Sequence, residues 1–342
     1  MRYLRSSRKN EERNVVLLFN FLKGGNAVKQ IPLQAEVKAT KKLTISSLTK
    51  TRKRSDYFWA YVMIAPTMLG LFIFYLWPII QTFYFSFTEW GAFGQYEWTG
   101  LTNYKRVLED ATLLQSFKNT GIYIIFTVPI GIFLSIIVAV LLNQKIKGKS
   151  VYRTLYFLPV ITMPAAIAMV WKWLYNSDYG LLNYLLSLIG IKGPQWVSDP
   201  KIAIYSIIVV AIWSGIGYNM VIFLSGLQGI PKMYYEAAEI DGAGPIRVFF
   251  KITLPLLSPV IFFVSIMSLI GAFQVFDLIF MMIGKSSTAL ESTQSIVYLF
   301  YQHAFVLNDK GYAAAIAILL LIVILIITAI QMVLQKKWVH YD

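Results

Sequence analysis

The chain has 342 residues, 57% of them hydrophobic and 14% charged, with a formal net charge of +14. Soluble domains carry about 25% charged residues, so this composition excludes an ordinary water-soluble fold and points to one helical bundle in lipid. There is no cysteine and there are two histidines, His303 and His340, far apart, which excludes a disulfide framework, a thiolate metal site and a histidine-rich metal centre.

In chain order, residues 1–56 read as a basic, polar and largely disordered tail. It holds 14 Lys and Arg residues and ends in Lys50, Arg52, Lys53 and Arg54. Its one apolar run, Val15 to Leu22, is too short to cross a membrane. That run suits either an amphipathic helix on the membrane surface or a poorly ordered, dispensable segment. No small-residue cleavage site follows it, so a secretory signal peptide is not expected. Residues 57–342 read as the membrane domain. Long runs with little or no charge predict spans at about 59–86, 120–142, 154–175, 203–225, 254–283 and 312–334. The runs are apolar on all sides, whereas barrel strands alternate over about 10 residues. The expected fold class is an all-α integral membrane protein with six transmembrane helices.

The charges between these spans are uneven. The tail, the Lys145–Arg153 loop, the Lys232–Lys251 loop and the C-terminal Lys336 and Lys337 together hold 23 of the 31 Lys and Arg residues. All of these segments fall on one side of a six-span chain, so the positive-inside rule places both termini in the cytoplasm. Topology thus accounts for the basic charge, and no nucleic-acid partner is expected. Trp59, Trp77, Trp90, Trp98, Trp171, Trp173 and Trp338 lie near span ends, where indole rings prefer the lipid–water interface.

The loop between spans four and five, residues 231–254, is the most informative segment. Pro231 suits a first helical turn, Glu236 to Glu239 are helix-compatible, and Gly242 can end the helix in a left-handed conformation. Pro245 then starts a second short helix, and Pro255 sits where the next span begins. A helix–turn–helix along the inner surface results, with Tyr235, Ala238 and Ile240 near the carboxylates of Glu236 and Asp241. Small, apolar and acidic residues together suit docking into a protein groove. Anionic lipid would repel Glu236, Glu239 and Asp241, which disfavours a loop resting on headgroups.

The segment resembles the signature loop of permeases in binding-protein-dependent, ATP-driven importers: Glu-Ala-Ala, three residues, Gly, then nine residues and Ile-x-Leu-Pro. Here Glu236-Ala237-Ala238 is followed by Gly242, Ile252, Leu254 and Pro255. The Ile240-Asp241-Gly242-Ala243 form is similar to the carbohydrate-uptake branch, which includes maltose, lactose and glycerol-phosphate permeases. Gly100 to Tyr104, Phe157-Leu158-Pro159 and Gly311 to Ala315 extend the resemblance over about residues 57–342. It implies a multi-pass permease of the bacterial cell membrane that works with a second homologous permease, a cytoplasmic ABC ATPase dimer and an extracellular solute-binding protein. It also implies that the loop is a coupling helix, with Tyr235, Glu236, Ala237, Ala238, Asp241, Gly242 and Pro255 serving ATPase coupling, and that ATP and Mg are bound by the partner and no cofactor by this chain. A phosphate-cradling loop needs Gly, four residues, then Gly-Lys-Ser/Thr. Gly148-Lys149-Ser150 and Gly284-Lys285-Ser286 lack the first glycine, having Asn143 and Ile279 there; both read as loop residues, and no enzyme is expected in this chain.

Polar residues within spans usually face a partner or a cavity. Gly215, Tyr218 and Asn219 share one face of span four by their spacing, and Ser268, Gly271 and Ala272 share one in span five, which also holds Gln274 and Asp277. An aromatic ring beside small polar residues suits a sugar. The maltose-type relatives have matching contact positions at Gly215, Tyr218 and Ser268, and differ at Ala272 and Val275. The substrate-binding set is therefore Gly215, Tyr218, Asn219, Ser268 and Gln274, against the alternative that Gly215 and Gly217 only permit close helix packing and Ser268 bonds its own backbone. Asp277 suits either a functional carboxylate or an interfacial one near the end of span five, and Lys172 reads as a snorkelling charge near the end of span three. An ion-coupled secondary transporter would favour acidic or histidine relays in the membrane, which Asp277 alone approaches, and it would leave the coupling loop unexplained; a membrane enzyme would need a carboxylate pair or nucleophile, which the spans do not offer.

Overall fold

The computed structural model describes residues 48–91 and 94–339, and for residues 48–56 the backbone alone. The tail run Val15 to Leu22 lies outside the described residues. The chain divides into two compact units, residues 1–73 and 74–342. The described part of the first is a helix, α1 (Leu48–Leu71), which continues the expected span back through Lys50 to Arg54. The second opens with α2 (Trp77–Phe85) and a two-stranded antiparallel hairpin, β1 (Thr88–Trp90) and β2 (Tyr96–Trp98), which the hydropathy pattern did not announce. A short helix α3 (Thr102–Glu109) follows.

Four apolar stretches are long enough to cross a membrane: Tyr57–Phe85, Ala111–Asn143, Ala203–Gly229 and Lys310–Lys337. The helices of the last three are α4 (Ala111–Asn143), α8 (Ala203–Gly229) and α15 (Lys310–Leu334). The expected third and fifth spans are bent pairs, not straight helices. In the third, α5 (Lys149–Ile161) meets α6 (Pro164–Leu174) at 101°. Pro164 has no N–H to continue the ladder and forces Met163 out of the helical region, to ψ 130°. A short amphipathic helix, α7 (Leu181–Leu188), leads on to α8. In the fifth, residues 245–256 meet α11 (Ser258–Phe273) at 67°, with Pro255 and Pro259 flanking the joint. The fifth helix also stops at Phe273, ten residues short of the expected end. After an irregular stretch the chain forms α12 (Asp277–Met282), α13 (Leu290–Thr293) and α14 (Ile296–Tyr301).

Irregular backbone at such depth needs internal partners. Ser295 donates to the Val275 carbonyl at 2.6 Å and accepts from the Tyr298 amide at 3.1 Å. Asn119 of α4 donates to the Glu291 and Gln294 carbonyls at 2.8 and 3.1 Å. Tyr123, Ile207, Ala272, Val275 and Tyr298 then close an apolar core around this break. A second core joins Ile136, Leu142, Met220, Phe223, Leu227, Leu257 and Val264. It places the C-terminal ends of α4 and α8 beside the start of α11.

The starts of α4 and α15 also meet. Asp110 caps α4 by accepting from the Thr112 and Leu113 amides at 2.7 and 3.3 Å, and it accepts from the Tyr312 hydroxyl at 2.6 Å. Asp309 caps α15 and pairs with Arg106 at 2.7 Å, and the Arg106 guanidinium lies over the Tyr312 ring at 4.4 Å. Burial raises the Asp309 carboxyl, but the neighbouring His303 imidazole and the Arg106 guanidinium outweigh it and hold the group down at about 2. The family-like Asn103 donates to the Ser86 and Thr88 carbonyls at 3.0 and 2.9 Å. A Cβ on Gly311 would strike the Thr88 carbonyl. These two positions are therefore stitches in the fold.

Candidate functional site

α4, α8 and α11 line an open-sided cavity of about 400 Å³. Its polar groups are the hydroxyls of Tyr123, Thr127, Tyr218 and Ser268 and the amide of Asn219; Met267, Val128, Ala211, Ile212 and Ala272 supply apolar wall. Intrahelical serines commonly satisfy themselves on the preceding turn. Ser135, Ser214 and Ser265, on the same three helices, donate to the carbonyls of Gly131, Ala211 and Phe262 at 2.6, 3.0 and 2.7 Å. Ser268 makes no such bond, and neither Tyr218 nor Asn219 has a side-chain hydrogen bond to another described residue. Three polar groups thus face the cavity with their capacity open.

One glycine from each helix, Gly131, Gly215 and Gly271, lines this space, and a Cβ added at any of them would meet nothing within 4 Å. An interior helical glycine costs about 0.5–1 kcal/mol relative to alanine, and here that cost leaves room instead of closing a contact. Gly217 behaves differently. A Cβ there would collide with the Tyr156 carbonyl group and reach Phe157 Cα at 3.1 Å, so Gly217 lets α8 lie directly on the α5 backbone. Of the two glycines weighed together in the sequence, Gly217 packs and Gly215 opens.

The structure brings Gly215, Tyr218, Asn219 and Ser268 together around one cavity. Gln274 sits elsewhere: α11 has ended at Phe273, and Gln274 is its exposed C-cap, off the cavity wall. Tyr123, Thr127 and Gly131 of α4 were not anticipated. They recur at i, i+4 and i+8 and so share one face of the helix, and that spacing was the available signal.

The end of α8 passes directly into an elbow made of α9 (Lys232–Ile240) and α10 (Pro245–Val248). α9 stops in a Schellman motif: the Gly242 amide donates to the Glu239 carbonyl at 3.0 Å and the Ala243 amide to the Ala238 carbonyl at 2.9 Å. Gly242 sits at φ +67°, where any side chain would be strained. Tyr235 and Thr253 share a hydroxyl–hydroxyl contact of 3.3 Å, and Ala238 is buried, so this side of α9 holds the elbow to the body. The opposite side presents Met233, Glu236, Ala237 and Ile240, spaced i, i+3, i+4 and i+7, with Ile240 87% exposed. Asp241 is exposed, and with Ala237 and Ala238 it borders a groove closed by Arg247 and Lys251. Pro255 is part of the bent joint, away from the exposed face. Of the near-miss phosphate loops, Gly148 is the N-cap of α5, with Lys149 and Ser150 in its first turn and not in a loop as expected.

A bundle of long apolar helices and two bent pairs, with an open-sided polar cavity and a protruding elbow, has the parts that a membrane transport permease needs. Residues 114–340 match the family model described as the binding-protein-dependent transport system inner membrane component, and the chain belongs to that family. It is 35% identical over 300 residues to the probable ABC transporter permease protein YesP of Bacillus subtilis, covering 86% of this chain and 96% of the relative. It is 34% identical over 283 residues to the sn-glycerol-3-phosphate transport system permease protein UgpA of Agrobacterium fabrum, covering 82% and 96%. A chain of a bacterial ABC transporter that imports the acidic polysaccharide alginate has the same fold, with a TM-score of 0.75 at 23% identity over 85% of this chain and 98% of that one. The chain is accordingly a permease subunit of an ABC importer and not an enzyme; ATP hydrolysis lies in a separate subunit.

Proposed function

We propose that this permease carries a sugar or oligosaccharide across the bacterial cell membrane. In this reading it forms the pathway with a second homologous permease, is driven by a cytoplasmic ATPase dimer that binds the ATP and Mg, and receives substrate from an extracellular binding protein; no cofactor resides in this chain. One observation carries the proposal. The elbow is inserted between α8 and α11, two of the three helices that wall the cavity, so movement of the elbow is movement of the cavity wall. ATP acts by its different affinity for two states of the ATPase dimer, and the elbow passes that difference on.

Six spans with both termini in the cytoplasm fit the packing, with each bent pair counted as one span. Tyr312 and Asp110 put the starts of spans two and six at one face, as an even parity requires. The ends of α4 and α8 and the start of α11 share the other face, and Trp338 reaches Phe262 there. That face carries the Lys145–Arg153 loop, the elbow and the C-terminal lysines, which is the basic side. Residues 1–56 are then the cytoplasmic tail and residues 57–342 the permease domain. On the elbow, Met233, Glu236, Ala237 and Ile240 dock to the ATPase, while Tyr235, Ala238, Gly242 and Pro255 keep it rigid and Asp241 borders the groove. Gly215, Tyr218, Asn219 and Ser268 contact the sugar. Glu236→Lys tests the docking: uptake by cells carrying the whole transporter should be lost while the variant still reaches the membrane. Wild-type uptake by that variant would refute the role given to the elbow.

A further inference from the structure

We propose that the cavity is built for neutral saccharides and discriminates against anionic ones, an inference that rests on the sugar-permease reading above. Every residue that lines the cavity is uncharged. The three helices that build it are nearly charge-free along their whole length. α8 and α11 hold no Asp, Glu, Lys, Arg or His, and α4 holds Lys118 alone. Lys118 is exposed and lies nine residues before Thr127, about 13 Å along the helix. Asp277, beyond the break after α11, is exposed and off the cavity wall.

A phosphate or carboxylate entering this space would exchange part of its water for a wall that offers no cation, and a charge desolvated without a partner is disfavoured. The polar groups present point the same way. An anion only accepts hydrogen bonds and is met by donors, above all by arginine and lysine. Tyr123, Thr127, Tyr218, Ser268 and Asn219 all donate and accept, which is the requirement set by a sugar hydroxyl. Tyr218 is 46% exposed and shares the cavity wall with Gly215, where a Cβ would meet nothing within 4 Å, and an aromatic ring in such a place suits a pyranose C–H surface. The names of two relatives record acidic cargoes, sn-glycerol 3-phosphate and alginate. Overall likeness to those proteins therefore does not carry over to this cavity.

The test reconstitutes the complete importer in proteoliposomes and offers an equimolar mixture of maltose, lactose, sn-glycerol 3-phosphate and digalacturonate, with the lumen read by mass spectrometry. A neutral sugar should accumulate about tenfold or more over either anion. Asn219→Leu should reduce that accumulation by about tenfold while co-purifying with the ATPase in wild-type yield. If that variant fails to assemble, Gly215→Leu, whose side chain enters open space, gives the same readout. Accumulation of glycerol phosphate or digalacturonate to the level of the neutral sugars would overturn this inference and leave the sugar-permease reading standing. No accumulation of any of the four would remove the sugar-permease reading, and this inference with it. Undiminished neutral uptake by both variants would show that this cavity is not where the sugar is sorted.

Discussion

Gly215 and Gly217 lie two residues apart on α8 and should answer the same substitution in opposite ways. Gly→Ala in a helix interior stabilises by about 0.5–1 kcal/mol through the chain's lost freedom, and both positions receive that gain. At Gly215 nothing lies within 4 Å of the new methyl, so the gain stands alone. At Gly217 the methyl overlaps the Tyr156 carbonyl and sits 2.8 Å from its carbon and 3.1 Å from Phe157 Cα. These are backbone atoms of α5, which move only by displacing the helix, and overpacking of this kind costs about 1–3 kcal/mol. The two variants should therefore differ in stability by about 1–3 kcal/mol, Gly217→Ala being the weaker. Loss of folded protein across a titration from mild detergent into denaturing detergent measures the gap. Equal stability of the two variants would show that α8 does not lie on α5 at Gly217, and the assignment of packing to one glycine and open space to the other would fail.

Ser295→Ala should destabilise the fold by about 1–3 kcal/mol, because the buried Val275 carbonyl at the break in the fifth span loses its donor; the same detergent titration reads it. Asp309 has its carboxyl held at about 2 in the fold against about 3.9 in an unfolded chain. Its contribution to stability is therefore complete above about pH 4 and is lost as pH falls through about 2. Asp309→Asn, which removes the Arg106 pair and weakens the α15 cap, should cost about 1 kcal/mol at neutral pH, and the difference from wild type should vanish near pH 2 in thermal unfolding.

Several elements were legible because local chemistry decides them. The elbow could be read in outline, since Pro231, Gly242 and Pro245 each act on their own backbone, and the Schellman motif forms at the expected glycine. The charge-free runs located the four long apolar helices and the two bent pairs. Their internal shape was hidden because hydropathy is blind to direction: Pro164, Pro255 and Pro259 interrupt runs whose average apolarity is unchanged. Just beyond the end of α11 at Phe273, the Val275 carbonyl is paired by Ser295, 20 residues further along the chain from it. A partner so distant leaves no local trace. The cavity was half legible. Tyr218, Asn219 and Ser268 stand out as polar residues in apolar helices, but their open hydrogen-bonding capacity emerges only beside Ser135, Ser214 and Ser265, which bond their own helices.

If the elbow joins an ATPase on the inner face to the cavity helices, its exposed side must be reachable from that polypeptide, and a chain that contains no cysteine allows single thiols to be placed there. Single Met233→Cys and Ile240→Cys variants place a thiol on the exposed side of α9 in an otherwise cysteine-free background. In intact cells each thiol should form a crosslink to the ATPase polypeptide while resisting a membrane-impermeant thiol reagent added outside. Labelling by the external reagent, with no crosslink to any nucleotide-binding polypeptide, would contradict that placement of the elbow.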